Sequence, residues 1–113
     1  MARSLLVSWF ERRTWQEPGW TPDDILAAKG DRTVSVVLPA LDEELTVGDV
    51  VASVRPLVGS VVDELVVMDS GSTDATARVA EAAGARVVRR EDVLPDLPPV
   101  PGKGEVLWRS LAA

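Results

Sequence analysis

One alternation constrains this chain more than any other feature. Short runs rich in apolar or β-branched residues, at 33–38, 63–68 and 85–89, are separated by turns and by segments with apolar residues at helical spacing. The first run, Thr-Val-Ser-Val-Val-Leu, alternates poorly and is followed by Pro39. That pattern suits a strand buried on both faces of a parallel sheet. Val47, Val50, Val51, Val54 and Val58 then predict a helix, with Thr46 as its cap, Asp49 at the capping-box position and Pro56 near its end. The run at 63–68 leads directly into Asp69, Ser70, Gly71 and Ser72. A third helix is expected over about 73–83, with Thr76, Val79 and Ala83 inward and Gly84 as its stop. After the run at 85–89, the proline-rich stretch 94–101 must be a loop. Gly102, Lys103 and Gly104 open a last helix through Leu107, Trp108 and Leu111, inside which the chain is expected to stop. The order β-α-β-α-β-loop-α predicts an α/β fold with a parallel sheet and right-handed crossovers.

The beginning of the chain is less regular. Residues 1–20 show no clear period and read as a weakly amphipathic or frayed leader, with Pro18 and Gly19 turning between Trp15 and Trp20. The two indoles are expected to pack on a neighbouring surface. Thr21, Pro22 and Asp24 then start a short helix as N-cap, first residue and capping-box acid, and Gly30 closes it. The organisation expected is a leader and tryptophan-containing loop at 1–20, followed by one domain-like unit at 21–113.

Composition narrows the chemistry. The 113 residues contain no cysteine and no histidine, so thiolate metal sites, thiol catalysis and a Ser-His-Asp triad are excluded within this chain. Twelve basic against eighteen acidic residues give a net charge of −6, which disfavours nucleic acid and anionic membranes as partners. Apolar stretches of five or six residues fall far short of the roughly 20 that span a bilayer, and the first ten residues lack a secretion-signal pattern. A cytoplasmic location is expected.

In open α/β sheets, ligands bind beyond the carboxyl ends of the strands. Three segments satisfy that condition. Asp42, Glu43 and Glu44 follow the first strand; they can compensate a helix dipole, but three acids exceed that need, and Glu43 is a candidate acceptor for a base or ribose. Asp69 ends the second strand, either making an Asx-type turn or binding a ribose hydroxyl. Lys103, between two glycines at a helix start, is either a solvated loop lysine or a cation for phosphate. Neither a Walker motif nor a G-x-G-x-x-G follows the first strand, so P-loop phosphoryl transfer and dinucleotide redox chemistry lose ground. An acid for a nucleoside and a lysine for a diphosphate remain, a pattern suited to a nucleotide sugar.

These residues carry a resemblance. Pro39, Ala40, Leu41, Asp42, Glu43 and Glu44, then 69–74 (Asp-Ser-Gly-Ser-Thr-Asp), then 101–110 (Pro-Gly-Lys-Gly-Glu-Val-Leu-Trp-Arg-Ser) resemble the N-terminal half of the glucosyl-3-phosphoglycerate synthases. Members of that family are retaining glycosyltransferases with the Rossmann-like parallel sheet of the GT-A fold. The first two signatures are shared with many family 2-like glycosyltransferases; the third, with Trp15 and Trp20 upstream, is narrower. The likeness covers residues 14–113.

The resemblance implies a site. Pro39, Ala40, Leu41 and Glu43 would hold the uridine of UDP-glucose, Asp69 and Ser70 would meet the nucleotide, and Lys103 would face the diphosphate. Asp42 stands where the family usually has asparagine, with little consequence expected since both side chains accept hydrogen bonds. The full enzyme would use Mg2+ or Mn2+ to neutralise the UDP leaving group and transfer glucose to 3-phosphoglycerate with retention, as a possible homodimer. A leaving-group phosphate acting as base would explain the lack of an enzyme nucleophile. The family's Asp-x-Asp metal motif and acceptor site have no counterpart here. The chain is therefore expected to be a truncated donor-binding half, inactive alone, with no catalytic and no metal-binding residue of its own. Two alternatives stay open: another GT-A transferase, for example with a polyprenyl-phosphate acceptor, or a non-catalytic remnant that pairs with another chain.

Overall fold

The computed structural model describes residues 2–113, which form two units, the first ending at Gly30 and the second Asp31–Ala113. In the first unit, helix α1 (Ala2–Arg13) occupies the segment for which no regular element was expected. It has no apolar stripe, so periodicity could not reveal it. Freedom from glycine and proline and the basic Arg12 and Arg13 in its last turn favour it instead. Helix α2 (Pro22–Lys29) has the expected capping box: the Thr21 hydroxyl accepts the Asp24 N–H at 3.2 Å, and the Asp24 carboxylate accepts the Thr21 N–H at 2.7 Å. Trp15 and Trp20 are exposed, at 62% and 48%, and are not buried within this unit. A segment this short encloses too little surface to bury two indoles.

The second unit contains strand β1 (Ser35–Ala40), helix α3 (Val47–Val54), strand β2 (Glu64–Asp69), helix α4 (Thr76–Ala83), strand β3 (Arg86–Arg89) and helix α5 (Lys103–Ser110). Single 3-10 turns follow α3 (Arg55–Leu57) and β3 (Arg90–Asp92). The sheet order is β1-β2-β3 and both pairings are parallel, with Ala40 opposite Asp69 and Asp69 opposite Arg89. Residues Leu65 to Asp69 of β2 are buried without a break, as a central strand covered on both faces must be. One face packs Leu65 and Val67 against Val47 and Val51 of α3 and Ala80 of α4. The other packs Val66 and Met68 against Val93 and Val106.

Several details depart from local expectation. β1 continues through Pro39 to Ala40. Ser70 donates to the Ala40 carbonyl at 2.9 Å, so the polar groups of Ala40 face β2 and those of Pro39 face away, and the missing N–H costs no bond to β2. Thr46 makes no side-chain cap on α3; its hydroxyl donates instead to the Glu43 carboxylate at 2.8 Å. Helix α4 starts at Thr76 rather than near Thr73, because the intervening backbone is tied to the loop after β1. In α5 the buried residues are Val106 and Arg109, while Leu107 and Trp108, and Leu111 just past its end, are exposed. No helix among the described residues is long and apolar enough to cross a membrane.

Candidate functional site

Because the strands are parallel, their carboxyl ends, Ala40, Asp69 and Arg89, lie at one edge of the sheet. The loops after β1 and β2 are bound to each other there. Asp42, at φ 50°, donates its N–H to the Ser72 hydroxyl at 2.9 Å and accepts the Thr73 N–H on its carboxylate at 2.8 Å. The Glu44 carboxylate accepts the Ala75 N–H at 2.9 Å, and the Glu44 N–H donates to Asp74 at 3.2 Å. Between them, the Glu43 N–H donates to the buried Thr76 hydroxyl at 2.8 Å, and that hydroxyl donates to the Asp74 carboxylate. The backbone of Glu43 is thus held from both sides. The Thr76 side-chain hydrogen bond is the main reason the Asp74 carboxyl lies below its ordinary range, against the opposing effect of desolvation; backbone N–H groups of Thr76 and Glu44 add to the lowering.

A cavity of about 390 Å3 opens at this edge. Pro39, Ala40, Leu41 and Glu43 line it from the end of β1, Ser70 from the end of β2, and Arg90 from the turn after β3. Pro101, Gly102, Lys103 and Val106 close it from the start of α5. Its volume falls in the range of small-molecule sites. Of the seven residues singled out in the sequence, six meet here: Pro39, Ala40, Leu41, Glu43, Ser70 and Lys103. Asp69 does not line the cavity; it is buried, and its carboxylate accepts the Ser72 N–H at 3.2 Å, which shapes the turn at Gly71 (φ 91°).

Sequence reasoning passed over Arg90. It lies one residue beyond β3, where the strand-end rule would have admitted it, but the run Arg-Arg-Glu-Asp at 89–92 reads locally as a solvated turn. The charged residues lining the cavity are Glu43, Arg90 and Lys103, so a chain of net charge −6 presents an excess of positive charge at this point. Among the described residues no three His, Cys, Asp or Glu side chains come together as metal ligands. A lone carboxylate beside two cations does not suit Mg2+ or Mn2+, which take several oxygen ligands.

A parallel α/β sheet with a cavity at its carboxyl edge, lined by one carboxylate and two cations, has its candidate site where open α/β sheets bind ligands. Comparison with known proteins makes this specific. The model of Glycosyl transferase family 2 matches residues 35–93. A glucosyl-3-phosphoglycerate synthase of Mycolicibacterium smegmatis is 64% identical over 105 residues, 93% of this chain and 35% of that protein. Its counterpart in Petrotoga mobilis is 40% identical over 91 residues, 78% of this chain and 28% of that protein. The crystal structure of glucosyl-3-phosphoglycerate synthase from Mycobacterium tuberculosis in complex with Mn2+, UDP and glucosyl-3-phosphoglycerate superposes with a TM-score of 0.84 at 62% identity. That match covers 88% of this chain and 36% of the solved one. The chain belongs to glycosyl transferase family 2 and has the α/β fold of its GT-A members. It spans about a third of the length of the curated relatives it matches.

Proposed function

We propose that the cavity receives the nucleoside diphosphate of a nucleotide sugar, and that the whole protein transfers glucose from UDP-glucose to 3-phosphoglycerate with retention. The observation that carries this reading is the convergence of Pro39, Ala40, Leu41, Glu43, Ser70 and Lys103, drawn from three separate segments, on one cavity. Pro39, Ala40 and Leu41 form the wall for the uracil. One Glu43 oxygen is oriented by the Thr46 hydroxyl, and the carboxylate accepts a hydrogen bond from the nucleoside. Asp69 acts through the turn it shapes, which presents Ser70 to the nucleotide. Lys103, at the first turn of α5, lies where a helix dipole and an ammonium both favour phosphate oxygens. The donor-binding part lies within residues 21–113, after the leader at 1–20. The names of the relatives, which specify glucosyl-3-phosphoglycerate synthesis, support the substrate pair. The same proposal includes a cytoplasmic, homodimeric enzyme using Mg2+ or Mn2+, whose ligands the described residues do not supply.

Calorimetric titration with UDP tests the site. Lys103→Ala and Glu43→Gln are each expected to weaken binding by roughly tenfold, the loss of one charged hydrogen bond. Unchanged UDP affinity in Lys103→Ala would overturn the assignment. In the whole protein, assay of glucose transfer to 3-phosphoglycerate tests the reaction.

A further inference from the structure

Behind the cavity, one carboxylate serves two guanidinium groups. Arg109 is 1% exposed; it donates to the carbonyls of Val93 at 2.6 Å, Leu94 at 3.1 Å and Leu97 at 2.7 Å, and its Nε donates to Glu105 Oε1. The other oxygen, Glu105 Oε2, is buried without a hydrogen-bond partner among the described residues and lies 3.8 Å from Nη1 of Arg90. Arg90 is itself mostly buried, its side chain 20% exposed. Nη1 donates to the Val100 carbonyl at 3.3 Å and is the one nitrogen of that guanidinium with a hydrogen bond among the described residues. Glu105 therefore neutralises Arg109 at hydrogen-bond distance and faces Arg90 only at longer range. Arg90 and Lys103 both line the cavity.

We infer that Arg90 is a second anion-binding residue of this site, taking the diphosphate together with Lys103, with Glu105 as the group that positions it. The inference rests on the nucleotide reading above and adds to it a residue from the β3 turn. A partly buried guanidinium whose countercharge is shared offers planar N–H groups to phosphate oxygens, a role a lysine cannot duplicate. Arg109 contributes by anchoring the 93–97 loop and by taking the nearer oxygen of Glu105.

Titration of the chain and its variants with UDP and with uridine tests this. Arg90→Gln is expected to raise the UDP dissociation constant about tenfold and leave that for uridine unchanged, since one charged contact to phosphate is lost. Arg90→Lys, which keeps the charge but loses the fork, is expected to lie between Arg90→Gln and the parent. A purely structural latch on Val100 would weaken UDP and uridine alike, and that result overturns the inference. Arg90→Gln within twofold of the parent, with Lys103→Ala weakened, overturns it while leaving the nucleotide site standing. Absence of UDP binding by the parent chain overturns both.

Discussion

The carboxylate of Asp42 accepts the backbone N–H of Thr73, 31 residues away in the chain, at 2.8 Å. That bond joins the loops after the first two strands, and Asp42 makes it from a left-handed conformation, φ 50°. Asparagine adopts this region readily and accepts the same bond. Asp42→Asn is expected to change stability by less than about 0.5 kcal/mol, whereas Asp42→Val loses the acceptor and strains the backbone at a cost of about 2 kcal/mol. Urea unfolding of the two variants checks this; equal losses would contradict it.

Thr76 is fully buried, and its hydroxyl accepts the Glu43 N–H. Thr76→Val keeps the shape and leaves that N–H unpaired, so a loss of about 1–3 kcal/mol is expected. Because the Glu43 backbone is then held from one side fewer, UDP binding should weaken as well, although Thr76 does not line the cavity. A variant that loses stability and binds UDP normally would separate the clamp from the site.

The pH response follows from Asp74. Its carboxyl titrates lower in the folded chain than in the unfolded one, chiefly through the Thr76 hydroxyl. The unfolded chain therefore binds more protons between the two values, and stability present above the unfolded value is lost as pH falls through the folded one. Asp24, lowered first by the Thr21 backbone N–H and then by its hydroxyl, acts in the same direction. Asp74→Asn should make stability fall less steeply than in the parent between about pH 5 and about pH 2. Urea midpoints across that range measure the slopes.

Arg109 cannot be replaced by a smaller or differently shaped group. Arg109→Ala removes the donor for three loop carbonyls and leaves Glu105 buried beside Arg90 alone, for which about 3–5 kcal/mol is expected. Arg109→Lys should recover little, since an ammonium cannot span the same carbonyls. Thermal unfolding would show both variants well below the parent.

Gly84 ends α4 at φ 106°, and a Cβ there would meet the Arg55 side chain. Gly84→Ala is expected to destabilise by more than about 1 kcal/mol, from both strain and displacement of Arg55. Denaturant unfolding gives the number directly.

Local pattern alone determined the element types of the second unit, their order and the parallel class of the sheet. β-branched runs and valines at helical spacing depend only on near neighbours. The strand-end rule then placed Glu43 and Ser70 close to one another, because parallel strands bring their carboxyl ends together wherever their sequences lie; Lys103 joins them from the start of α5. Helix α1 escaped the same reading because it has no apolar stripe to detect. The tertiary structure decided what Arg90, Arg109 and Asp69 do. Arg109 resembles any charged residue near a helix end until the 93–97 carbonyls surround it, and Arg90 resembles a solvated turn until α5 brings Glu105 within reach. Burial of a charge depends on partners supplied by distant segments, and those partners exist only once the chain has folded.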